Sequence, residues 1–188
     1  MLAFFLALLF GRPQEPIPPI AHYKIGDVHF AFPTYYRYLS PPTQVEPGVI
    51  LAFLWPSLES RTPKNIKEFS MPGGGRKVQI LIKPKWDWKY MEDRYDLSTI
   101  EQVEGDLYRI SPPNSMPWDD KQHFVTYPHD PAERSFIYAS TGPSPQCIQR
   151  ARYKSVFLKI TYRCVYLDEW QEIHGEIKKM LDEWSKHS

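Results

Sequence analysis

Lys154-Ser155-Val156-Phe157-Leu158-Lys159-Ile160-Thr161-Tyr162, with Leu167-Asp168-Glu169-Trp170-Gln171-Glu172-Ile173 soon after, decides how this chain is read. The first stretch alternates as a strand does. Val156, Leu158, Ile160 and Tyr162 fall on one face, and Phe157, Lys159 and Thr161 on the other. In the second, Leu167, Trp170, Ile173, Ile177, Leu181 and Trp184 recur every three or four residues and form one apolar stripe of a helix. Glu169, Glu172, Glu176, Lys178, Lys179 and Asp182 cover the rest of that helix. Asp168 is placed to cap its start, and Gln171 stands at the capping-box position. A strand feeding an amphipathic helix requires a sheet under the stripe, and the upstream sequence must supply it.

Upstream, short strand-like runs follow one another closely. Tyr23-Lys24-Ile25 and Val28 to Phe32 flank a two-residue Gly26-Asp27 turn and read as a hairpin. Thr34 to Leu39 has room for one helical turn. Val49 to Trp55 is apolar throughout, the pattern of a central strand covered on both faces. A helical turn is expected within Asn65 to Phe69. Lys77 to Lys83, Asp106 to Ile110, Gln122 to Tyr127 and Ser135 to Ser140 read as further strands, and Cys147 to Arg152 pairs back onto Lys154 to Tyr162. These connections are too short for crossover helices, so the pattern predicts an antiparallel meander. The fold class is α+β: an antiparallel sheet or sandwich with the C-terminal amphipathic helix packed on one face.

The chain has 188 residues, 42% hydrophobic and 15% aromatic, enough for one domain with its own core. Nineteen prolines against nine glycines favour short segments joined by stiff loops. The formal net charge of +1 supports neither a nucleic-acid binder nor an acidic DNA mimic. The two cysteines, Cys147 and Cys164, fit one disulfide in an oxidising compartment or two thiols in the cytosol.

Residues 1–12 form an apolar segment, 13–20 a proline-rich tether, and 21–188 a single domain. Met1 to Phe10 is uniformly apolar, and Gly11-Arg12 ends the run. Ten helical residues reach ~15 Å, about half a bilayer core. No basic n-region or Ala-x-Ala cleavage site accompanies the run, and no cysteine follows it for a lipid anchor. Two readings stand: a buried or swapped N-terminal helix, or the tail of a signal or anchor that starts further upstream. The stiff Pro13-Gln14-Glu15-Pro16-Ile17-Pro18-Pro19 spacer favours the second.

No catalytic signature stands out. Asp119, Asp120, His123, His129 and Asp130 crowd one loop and strand, but such residues are common in polar turns, and no metal or other cofactor is expected. Gly73-Gly74-Gly75-Arg76 precedes a strand and lacks the Gly-Lys-Ser/Thr of a phosphate loop. Gly142-Pro143-Ser144-Pro145 is no nucleophile elbow, because its prolines remove the amide donors. Lys83 to Tyr90 alternates aromatics with lysines, which fits a core edge, a protein contact or, less well, single-stranded nucleic acid.

The order of features resembles a known group. An apolar start and proline spacer lead to Tyr23-Lys24-Ile25-Gly26-Asp27 with Phe30 and Phe32-Pro33. Leu107-Tyr108-Arg109-Ile110 and Cys147 follow, and Tyr166 to Ile173, Ile177 and Trp184 close the chain. The chain in this respect resembles small, membrane-tethered envelope proteins of Gram-negative bacteria, some of them similar to immunity proteins that accompany type VI secretion effectors. The resemblance implies a non-enzymatic monomer or homodimer that binds a cognate toxin and no nucleic acid. It implies a periplasmic location, tethered to the inner membrane through the N-terminus, with the cytoplasm as the alternative. Trp86, Trp88, Trp118, Asp119 and Asp120 are the expected partner-binding residues. The competing readings are an envelope hydrolase with an unrecognised site and a structural accessory of an envelope complex.

Overall fold

The structure, a computed structural model, describes residues 19–38, 48–71, 74–84, 88–111 and 121–186. The apolar segment 1–12 and nearly all of the 13–20 tether lie outside these residues. The first strand already begins at Ile20.

Strands β1 (Ile20–Ile25) and β2 (Val28–Pro33) form the expected hairpin, a two-stranded sheet of their own. Gly26 in its turn has φ +58°, and a side chain there would also press on the Pro84 carbonyl at 3.2 Å. A short 3-10 turn, Thr34–Tyr36, follows.

The remaining strands are β3 (Val49–Leu54), β4 (Lys77–Lys83), β5 (Glu101–Glu104), β6 (Leu107–Ile110), β7 (Gln122–Thr126), β8 (Ser135–Ala139), β9 (Gln146–Tyr153) and β10 (Val156–Arg163). They make one eight-stranded antiparallel sheet in the order β3-β4-β10-β9-β8-β7-β6-β5. From β5 to β10 it is the expected meander, and β4 and β3 then add beyond β10. Among the described residues three α-helices accompany it: α1 (Ile66–Phe69), α2 (Trp88–Glu92) and α3 (Trp170–Lys186).

The sheet is covered on both sides by different means. On the inner face, α3 and the β1–β2 hairpin enclose the main core, in which Phe30, Phe32, Leu51, Phe53, Ile80, Leu158, Ile160, Ile173, Ile177 and Leu181 are fully buried. Trp184 ties the two covering elements together, with ring centroids 5.7 Å from Phe32 and 5.2 Å from Tyr36. On the outer face, Phe69 of α1 and Tyr38 cover Ala52 and Leu54 of β3. At the other end, Trp88 and Met91 of α2 and Tyr95 cover Ile110, Val125, Phe136 and Phe157.

Two expectations need correction. Val49 to Trp55 is buried on both faces but lies at the sheet's edge, not its centre. Its open side is closed locally by a Tyr38 N–H to Ile50 carbonyl bond of 2.9 Å and a Leu54 N–H to Glu59 carbonyl bond of 2.9 Å. Asp168 does not cap α3, because a 3-10 segment, Cys164–Glu169, carries the chain from β10 into the helix without a side-chain cap. The helix is instead fixed by tertiary bonds: Trp55 Nε1 donates to Glu169 Oε2 at 2.6 Å, and the Tyr153 hydroxyl to Asp182 Oδ1 at 2.7 Å. Its buried stripe also includes His174 and Met180, which the spacing argument passed over.

Cys147 and Cys164 are joined by a disulfide, with Cα atoms 4.9 Å apart. Cys147 is the second residue of β9 and Cys164 follows β10, so the bond closes the base of the β9–β10 hairpin where the chain turns toward α3.

Candidate functional site

Between Phe69 of α1 and the Trp88 and Met91 of α2 runs the outer face of β4, β10 and β9, a trough in the sense of a strip with apolar borders, its Phe157 tucked under α2. Strand alternation decides what lines it. The inward residues of these strands are Val78, Ile80, Ile82, Cys147, Gln149, Ala151, Tyr153, Val156, Leu158, Ile160 and Tyr162, all buried. Every charged residue points the other way. Lys77, Lys83, Arg150, Arg152, Lys159 and Arg163 share the outer face, and the three strands contain no Asp or Glu. The strip therefore carries +6 on a chain whose formal net charge is +1, which leaves the rest of the molecule net acidic.

Register brings the six together. Lys159 stands opposite Arg150 on β9 and Leu81 on β4, while Phe157 stands between Lys83 and Arg152. At ordinary strand spacings the patch measures ~10 Å across and ~20 Å along the strands. Its middle row, Gln79, Thr161 and Ile148, is neutral.

Aromatic rings hold several of these cations in place. Lys77 Nζ lies 4.8 Å from the Tyr38 ring centre, and the guanidinium carbons of Arg150 and Arg152 lie 4.7 Å from Tyr138 and 4.6 Å from Trp88. Lys77 also donates to the Phe69 carbonyl at 3.1 Å. Glu92 bonds Arg134 at 2.9 Å and Arg152 at 3.4 Å along the trough's border. The side chains of Lys159 and Arg163 make no hydrogen bond or ion pair among the described residues, and Arg163 Nε is buried without a partner. Burial, helped by Lys159 and Arg150, lowers the pKa of Lys83. Burial also lowers that of Arg152, with Arg134 acting in the same direction and Glu92 against it. The trough is a preformed positive surface with cations that lack a counter-charge.

Of the expected contact residues, Trp86, Trp118, Asp119 and Asp120 lie outside the described residues. Trp88 is only 8% exposed, packs its ring 5.7 Å from Phe136 and lies under Arg152. It holds Arg152 at the trough's border and has little surface left for a partner. Sequence reasoning missed the six cations. The signal was their even spacing, Arg150-x-Arg152 and Lys159-x-x-x-Arg163, which puts each pair on one face. Only the cross-strand register shows that the pairs adjoin.

The other constellations are engaged elsewhere. His123 is buried, with Nδ1 3.0 Å from the Tyr95 hydroxyl, and Asp130 accepts from the Ala132 amide at 2.9 Å in its own turn. Beneath α3 runs a buried polar chain. Thr126 Oγ1 is 2.7 Å from Ser135 Oγ, which accepts from Gln149 Nε2 at 2.8 Å, and that nitrogen lies 2.9 Å from His174 Nδ1. Ser135 is wholly buried and separated from His174 by the glutamine amide, so the pair is not arranged as nucleophile and base. Among the described residues, no helix is long and apolar enough to cross a membrane.

No family model and no curated protein matches the chain. Among solved structures it is similar to an immunity protein of the Stenotrophomonas maltophilia type IV secretion system. The TM-score is 0.65 with 11% identical residues, and the match covers 93% of this chain and 97% of that one. At this identity the likeness is one of fold, running through almost the whole of both chains.

Proposed function

We propose that this is an immunity-type protein that binds a cognate secreted antibacterial toxin directly and neutralises it. The observation that carries the reading is the fold shared with an immunity protein over 93% of this chain and 97% of the other. The basic trough supports it, since a rigid sheet offers a charged surface ready-made and little has to be ordered on binding. We place the protein in the periplasm on an N-terminal tether. The Cys147–Cys164 bond supports an oxidising compartment, and the apolar run with its proline spacer supports the tether. The sequence resemblance points to a type VI effector as the toxin, whereas the structural neighbour belongs to a type IV system. Direct binding is common to both.

The test is co-expression of the full chain with the product of the adjacent gene. Cells should survive a toxin that otherwise arrests them, and the two proteins should co-purify. A toxin that kills equally with and without this protein, and shows no binding at about 10 µM, contradicts the reading.

A further inference from the structure

Resting on the immunity reading, we propose that the toxin docks through an acidic segment seated in the trough across β4, β10 and β9. Three observations fit together. All six charges of these strands are positive and share one face, while the rest of the chain is net acidic. That arrangement is costly for an isolated fold, because like charges directly across a ladder repel, as Lys159 and Arg150 do. Lys159 and Arg163 carry their charge into the trough with no ion pair among the described residues.

The borders and the charge select the occupant further. Phe69 on one side and Trp88 with Met91 on the other pack on the outer face at both flanks, so the cation-bearing strip lies between two apolar borders. A segment bearing Asp and Glu complements its six positive charges. A nucleic acid is the weaker fit. Among the described residues, the rings that meet these cations, Trp88 at Arg152 and Tyr38 at Lys77, are committed to cations or core and are not free to stack bases. Carboxylates meeting arginines held in place by Tyr138 and Trp88 would form charge-assisted bonds with little loss of side-chain freedom.

The experiment measures affinity of the adjacent-gene toxin for the full chain, the double variants K159E/R163E and K159Q/R163Q, and K179E on the opposite layer. Thermal unfolding confirms that each variant is folded. Affinity should fall about 100-fold for K159E/R163E and about tenfold for K159Q/R163Q, and stay within about twofold for K179E. Association should slow at least about tenfold when salt rises from about 20 mM to about 500 mM. If a folded K159E/R163E binds like the wild type, the docking inference is overturned while the immunity reading stands. A toxin that does not bind the wild type removes both. Tighter binding of a single-stranded oligonucleotide than of the toxin overturns the inference in favour of nucleic acid.

Discussion

Lys159 on β10 stands directly across from Arg150 on β9, two cations facing each other at the middle of the sheet. Directly opposed like charges destabilise an antiparallel pair by about 0.2–1 kcal/mol. Replacing Lys159 with threonine, which suits a strand and matches its neighbour Thr161, should therefore stabilise the isolated protein by about that amount. The urea midpoint should rise with an unchanged slope. A fall would mean that Lys159 contributes to the fold, and the trough would lose its clearest sign of retention for binding.

The disulfide between Cys147 and Cys164 closes a loop of sequence separation 17 where β10 passes into α3. Reduction, or the double change to serine, should lower stability by about 2–4 kcal/mol. The loss should appear in chemical denaturation of both forms. Equal midpoints with and without dithiothreitol would show that the bond contributes nothing.

His174 is on the buried side of α3 beside Gln149, with Lys178 and Glu133 the charges around it. Burial first, then Lys178, lowers its pKa from 6.5 to about 4, against a smaller opposing effect of Glu133. The unfolded chain thus takes up a proton at this site in a pH range where the folded protein does not. Its contribution to stability is full above about pH 6.5 and is lost as pH falls toward about 4, in all a few kcal/mol. Denaturation at a series of pH values should show this slope, and His174→Phe should flatten it. An unchanged slope in the variant would assign the acid sensitivity to other groups.

Glu92 is the carboxylate bonded to both Arg134 and Arg152 at the trough's border. Arg134 is only 12% exposed, so Glu92→Gln leaves a nearly buried cation without its counter-charge. With solvent screening of the more open Arg152, the expected loss is about 1–2 kcal/mol. Thermal melts of the two forms check this; identical melting points would reduce the pair to a surface contact.

Local patterns were legible in the sequence. The alternation of β10, the stripe of α3 and the Gly26-Asp27 hairpin are each set by residues close together in the chain. Strand β5 was not legible, because Glu101-Gln102-Val103-Glu104 is exposed throughout and has no apolar alternation to betray it. Charge on so short an edge guards it against pairing. The placement of β3 at the other edge depends on which strand β4 chooses as its second neighbour, and it chooses β10, far along the chain. The trough was hidden for the same reason. Lys77, Arg150 and Lys159 lie far apart in sequence and meet only through the registers of β4 with β10 and of β10 with β9. Large aromatics anchor interfaces, which makes Trp88 a contact candidate from sequence, but its ring packs against Phe136.

The most direct test of the account is lysine acetylation footprinting of the full chain with and without the adjacent-gene toxin, read by mass spectrometry. Lys77, Lys83 and Lys159 should be protected several-fold in the complex, while Lys24 and Lys179, on the hairpin and helix that cover the inner face, should react as before. Protection confined to Lys24 and Lys179, with the trough lysines unchanged, would contradict it.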